Sequence, residues 1–233
     1  MKKVTLSLVL VGALSSLVFA EEAQTATTPA PVAEVTPTEE AGLGFGGSAS
    51  LIYNNIDRGG SLNSNGIGFD AAVGIDISGV ALGLDVFSID GGLEFDATVG
   101  YELELFEALS IGAEYLSISS TSADGFSLHG DSEFGAGVSY ASLADVGVGA
   151  IYGIGGGFLI GEASVGKTFE ELNNTSVELL YGYYLTNPDE APNYLQISAS
   201  TDCLLIKGGA WNAVAAFPST GDAQYGVSFT YSF

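Results

Sequence analysis

A chain of 233 residues is long enough for one sizeable domain, and its 28 acidic against 5 basic residues give a net charge of −23. That balance excludes attraction to nucleic acid or to anionic surfaces by charge. Yet 47% of the residues are apolar and the mean hydropathy is +0.36, which excludes the solvated, charge-dominated class to which so acidic a chain would otherwise belong.

Residues 1–20 read as a secretory signal. Lys2 and Lys3 form the positive n-region, an apolar stretch follows, and Val18, Phe19 and Ala20 make a small-x-small cleavage site. The apolar stretch is broken by Ser7, Gly12, Ser15 and Ser16 and falls short of the ~20 residues a spanning helix needs, so cleavage near Ala20 is expected rather than anchoring. With Lys2 and Lys3 set aside, only Arg58, Lys167 and Lys207 oppose the 28 acids. Residues 21–42, with Pro29, Pro31 and Pro37 and no apolar period, read as a disordered or polyproline-like linker.

From residue 43 to residue 233 the character changes to Gly-punctuated alternation. The clearest run is Leu93, Phe95, Ala97, Val99, Tyr101, Leu103 and Leu105, with Glu94, Asp96, Thr98, Gly100, Glu102 and Glu104 between them. Period-two alternation puts apolar side chains on one face and small or acidic ones on the other. It predicts strands near 44–54, 65–77, 79–88, 92–105, 108–118, 127–140, 144–154, 158–168, 176–186, 193–201, 204–216 and 223–233. These make twelve, or ten if the faintest patterns are not counted. Polar, longer loops are expected at 55–64, 119–126, 187–192 and 218–222; the second, fourth, sixth and tenth connections read as tight. No later segment offers 18 continuous apolar residues, so a helical membrane protein is excluded. A soluble sandwich would need outward faces of mixed charge. Here the second face is Gly, Ser, Ala and acid, and Tyr53, Tyr101, Tyr115, Tyr140, Tyr152, Tyr181 and Tyr183 stand near strand ends, as membrane interfaces favour. The expected fold is all-β: an antiparallel up-and-down transmembrane barrel with alternate residues facing lipid and lumen.

The candidate functional residues are the carboxylates of inward parity: Asp70, Asp76, Asp85, Glu94, Asp96, Glu102, Glu104, Glu114, Asp131, Glu133, Asp145, Glu162 and Glu178. Unpaired carboxylates are costly in a dry interior, so these must be hydrated, hold cations or be partly protonated. Arg58 falls in a loop and Lys167 near a strand end, which leaves Lys207 as the main inward base. Small inward neighbours such as Gly68, Ala72, Gly74, Gly112, Gly149 and Gly153 leave space for water. Rings of Asp and Glu favour cations, so the functional reading is a cation-preferring, water-filled channel for small solutes or ions. The alternative is a non-conducting structural or surface-interaction barrel that displays loops such as 55–64, its lumen closed by inward-folded residues or by the linker.

Other chemistry is not called for. His129, the single histidine, shares its face with Ser127 and Asp131 and has no nucleophile elbow, so no enzyme is expected. The glycine-rich 153–157 segment has no helix or Lys after it and reads as a turn. No Asp-x-Asp-x-Asp-Gly loop offers a calcium site, and no metal or cofactor is expected. Cys203, alone beside Leu204 and Leu205, reads as a small apolar residue.

The last strand alternates Tyr225, Val227, Phe229, Tyr231 and Phe233 with Gln224, Gly226, Ser228, Thr230 and Ser232. A final strand ending on Phe resembles the insertion signal of Gram-negative outer-membrane β-barrel proteins, the porin-like superfamily. That resemblance implies periplasmic chaperones, insertion by the barrel-assembly machinery, contact with outer-membrane lipid, and location in the outer membrane. The run Tyr53-Asn54-Asn55-Ile56-Asp57-Arg58-Gly59 is similar to a Tyr…Arg-Gly turn in an uncharacterised family of Gram-negative barrel-like proteins. Neither resemblance carries catalytic residues over.

Overall fold

The computed structural model describes residues 43–58, 60–63, 66–77, 79–106, 108–122, 125–186 and 193–233, with the side chains of Leu43, Ser122 and residues 125–131 outside that description. The signal and linker readings, and those on the side chains of His129 and Asp131, lie outside the described residues.

Twelve wall strands follow one another: β1 (Leu43–Tyr53), β2 (Ile67–Ile77), β3 (Val80–Ile89), β4 (Gly92–Phe106), β5 (Leu109–Ser122), β6 (Gly125–Ala141), β7 (Asp145–Gly153), β8 (Leu159–Phe169), β9 (Thr175–Thr186), β10 (Asn193–Asp202), β11 (Gly209–Pro218) and β12 (Gln224–Ser232). Each pairs antiparallel with its chain neighbours, and β12 pairs with β1 to close the ring. Closure leaves no free edge, so backbone N–H and C=O groups find partners within the wall, as a lipid environment requires. The seam registers Ser48 with Ser232 and Tyr53 with Val227. It continues into Phe233, whose N–H donates to the Gly47 carbonyl at 2.9 Å and whose carbonyl accepts from the Gly47 N–H at 3.0 Å. The Phe233 ring lies over Gly47, where an added Cβ would come within 2.7 Å of it.

Alternation decides which face is which. Phe45, Leu84, Val99, Val148, Tyr181 and Val227 point outward and are exposed, while Asp70, Ala72, Asp96, Thr98 and Glu133 face inward and are buried. An apolar belt of this extent exceeds the few hundred Å² that soluble monomers leave uncovered. The protein is therefore an inside-out barrel, greasy outside. Among the described residues no helix is long and apolar enough to cross a membrane.

The two ends differ. At the turn end, β2 and β3 are joined through Gly79, at φ +85°, whose N–H donates to Asp76 Oδ1 at 3.3 Å. The β8–β9 turn carries a 3-10 turn, Glu170–Leu172, followed by Asn173 and Asn174 in the left-handed region that Asn tolerates. At the loop end stand the connections after β1, β3, β5, β7, β9 and β11.

Two expectations about the connections, and one about Lys207, need correction. The fifth is not a long loop: β5 runs to Ser122 and β6 resumes at Gly125, because the Ser- and Thr-rich stretch 117–122 still pairs as strand once apolar alternation has stopped. The tenth is not tight: residues 203–208 form a six-residue turn and β11 starts at Gly209, since Gly208, at φ +78°, ends the turn and Leu204 and Leu205 project outward and exposed. Lys207 therefore sits exposed on that turn and is not an inward base. Cys203, on the same turn, is half-buried with a free thiol.

Candidate functional site in the barrel interior

The described part of the first loop, residues 54–58, 60–63 and 66, folds into the barrel rather than away from it. Asn54 turns the chain with φ +57° and is 1% exposed; its Nδ2 donates to the Tyr225 carbonyl at 2.7 Å and its Oδ1 accepts from Ser61 Oγ. Gly226 makes this turn fit, since the Asn54 carbonyl occupies the place a Cβ would take. Asn63 Oδ1 accepts from the Asn55 N–H at 2.7 Å, and a short ladder, Ile56–Asp57 with Gly60–Ser61, stiffens the rest. The Asp90 N–H donates to the Leu62 carbonyl at 2.8 Å, tying the loop to the β3–β4 turn.

At the tip stands Arg58, at φ +45°. Its guanidinium grips Glu133 of β6 with both terminal nitrogens, Nη1 donating to Oε1 at 2.7 Å and Nη2 to Oε2. β6 lies five strands from β1 around a ring of twelve, so this pair spans the lumen to nearly the opposite wall. Asp57 Oδ2 stands 4.0 Å from Nε, and the Phe158 ring lies beneath the guanidinium at 5.7 Å. Burial works against the guanidinium's charge, but Asp57 and Glu133 outweigh it and hold Arg58 above its ordinary pKa range. The reading that set Arg58 aside as a loop residue is corrected: it is the cation of the interior. The charge balance pointed to it, because a wall of carboxylates calls for a base and the loop-end segments supply one.

The wall around this strut is dry. Ile52, Phe87, Leu116, Ile151, Ile160, Leu180 and Tyr194 all face inward and are at most 9% exposed. Several glycines read as leaving room for water leave room for protein instead: Gly68 for Asn63, and Gly153 for the Phe158 ring. Gly182 does the same for the Tyr194 ring. The sequence carries a signal for this. Near the loop end of several strands stand apolar doublets, Leu51-Ile52, Val86-Phe87, Ile151-Tyr152 and Leu159-Ile160, with Tyr115-Leu116 and Leu179-Leu180 deeper in the wall, which break period two because both faces are dry there. The turn-end half is different: Ser164, Gly166, Ser198, Ser200, Asn212 and Ser228 line a polar cup and are only half-buried.

The inward acids fall into groups. Asp70, Asp85 and Asp96 occupy consecutive strands, Asp85 directly across from Asp96, and Asp85 is hydrogen-bonded to Asp70. Asp96 is 2% exposed, and neither of its oxygens has a hydrogen-bond partner among the described residues. Asp96, Glu133 and Glu162 lie within electrostatic reach of Arg58, and Glu94 lies beside Asp96. Glu162 accepts from Tyr194 OH. Glu178, lower in the cup, is hydrogen-bonded by Ser164 and Ser198, and Glu114 is half-buried. Asp76 caps the β2–β3 turn and Glu102 is half-buried near the turn end. Glu104 and Asp145 stand exposed at the turn-end rim rather than within the lumen. Asp131 is in register with Ile118, but its side chain is outside the described part. The described residues contain no group of three His, Cys, Asp or Glu side chains able to hold a metal ion.

No protein-family model matches the chain, and no curated protein does. Solved structures do. A KdgM porin shares 10% identity with a TM-score of 0.59, over 81% of this chain and 99% of that one. A KdgM porin in complex with disordered oligogalacturonate shares 10% identity with a TM-score of 0.57, over 81% and 98%. At such identity the likeness is one of fold: the chain is a closed, twelve-stranded antiparallel β-barrel, similar in fold to the KdgM porins.

Proposed function

We propose that this barrel is an outer-membrane channel with an acidic, cation-favouring lumen, held shut at its loop end by the first loop. The observation that carries it is the composition of the interior: carboxyl groups on β2, β3, β4, β5, β6, β8 and β9 face inward, and Arg58 is the one buried base among the described residues. Negative side chains lining a low-dielectric passage draw cations and repel anions. Oligogalacturonate, named with one KdgM porin, is a polycarboxylate, and such a lining would repel it. The solutes of this chain are therefore cationic or neutral. The exposed apolar belt supports lipid contact, and export through residues 1–20, insertion by the barrel-assembly machinery and a tether of residues 21–42 complete the reading.

Planar-bilayer recording of purified protein tests it. Openings are expected to be rare, with a reversal potential on the cation side, and the double variant Glu114→Gln/Glu178→Gln should move that potential toward zero. Anion preference, or silence even after the first loop is released, would sink the proposal. A non-conducting barrel is the second reading, favoured by the dry packing of Ile52, Phe87, Leu116 and Leu180. Liposome swelling separates the two, since a plugged barrel admits no sugar or amino acid.

A further inference from the structure

We infer that the place now filled by the Arg58 guanidinium is a recognition site for solutes carrying a guanidinium or a similar flat organic cation, with Arg58 as its built-in stand-in. The inference rests on the channel reading and names the solute class.

The cage has the features such a cation needs. Glu133 presents both oxygens to two parallel N–H groups, a match of planar fork to carboxylate that a spherical ion does not use. The Phe158 ring offers its face at 5.7 Å. Beyond it the aromatic wall continues, Phe158 to Tyr184 at 6.1 Å and Tyr184 to Tyr194 at 6.5 Å between ring centres. Guanidinium groups are weakly hydrated for their charge, so a dry, ring-lined pocket costs them less to enter than it costs an inorganic cation.

The site also holds more carboxyl groups than Arg58 pairs with. Asp57, Asp96, Glu133 and Glu162 all act on one guanidinium. Asp96, 2% exposed, keeps both oxygens without a hydrogen-bond partner among the described residues. Buried carboxylates in that condition are costly unless a ligand reaches them. An incoming cation could exchange with Arg58 at Glu133 and also satisfy Asp96, and the first loop would be released as it did so.

The probes are methylguanidinium and methylurea, alike in shape and different in charge, with sodium at matched ionic strength as control. Methylguanidinium should raise the unfolding midpoint of the Arg58→Ala barrel saturably, with an apparent affinity about tenfold above that for methylurea or sodium. The response should vanish in Arg58→Ala/Glu133→Gln. Because the Arg58→Ala barrel could fail to assemble, a second measurement uses the unaltered chain: methylguanidinium, and not methylurea, should speed proteinase K cleavage within the first loop. No saturable response in either, or an equal response to methylurea, overturns the site. Binding without conductance would remove the channel reading and leave the site standing. Conductance without binding would do the reverse.

Discussion

Glu133 is the residue on which the closed state turns. Its substitution by Gln takes from the buried Arg58 guanidinium the one carboxylate that grips it with both oxygens, and removing one partner of a buried ion pair costs about 3–5 kcal/mol. That is more than the turn contacts of a short loop replace, so the loop should leave the lumen instead of keeping a stranded charge. Trypsin reads this directly, because Arg58 is one of three basic residues beyond residue 20. Cleavage after Arg58 is expected in Glu133→Gln at protease levels that leave the unaltered barrel whole. Continued resistance would mean that packing, and not the ion pair, keeps the loop inside. At this scale the sequence was half legible. The carboxylates declare their parity in the alternation, but a partner on β6 for a residue after β1 is 75 positions away in the chain and leaves no periodic trace.

The first loop as an element can be displaced without touching a charge. Gly226 on β12 admits the Asn54 carbonyl, so Gly226→Val should lift the base of the loop, shorten the reach of Arg58 and expose it to trypsin with Glu133 intact. If conductance then rises with the Glu133 carboxylate intact, position and not charge sets the closed state. β12 has a second duty at the seam. Phe233 closes the ring through two backbone bonds to Gly47 and lays its ring where a Gly47 side chain would go. Gly47→Val should push that ring off the seam and lower the temperature at which the folded, fast-migrating gel band disappears; an unchanged transition would show the ring to be dispensable. The misjudged turns belong to this scale as well. Residues 204–206 are apolar and read as strand, yet they form an exposed turn, because Gly208 in the left-handed region and the bond from the Ser232 N–H to the Gly208 carbonyl decide where β11 begins.

For the whole molecule the two faces respond oppositely to charge. Val148 sits mid-strand on β7, outward and 56% exposed, and Val148→Arg should cost about 2–4 kcal/mol by urea unfolding in vesicles. Ser164→Asp, on the half-buried cup side of β8, should change stability far less and strengthen cation preference. Equal penalties at the two positions would argue against a lipid-facing wall. A shift in gel mobility on heating is the simplest check that the ring closes as one unit.

The wall was written in the sequence. Side chains alternate with a period of two residues whatever lies beyond them, so the strands of the ring and its outward apolar belt follow from local pattern. The apolar doublets near the loop end even marked where the interior would be dry. Tertiary structure alone decided what fills that interior. Whether a loop turns outward to solvent or inward to a carboxylate depends on contacts across the lumen, between Arg58 and Glu133 and between Asn54 and Tyr225, which are far apart in the chain and obey no repeat.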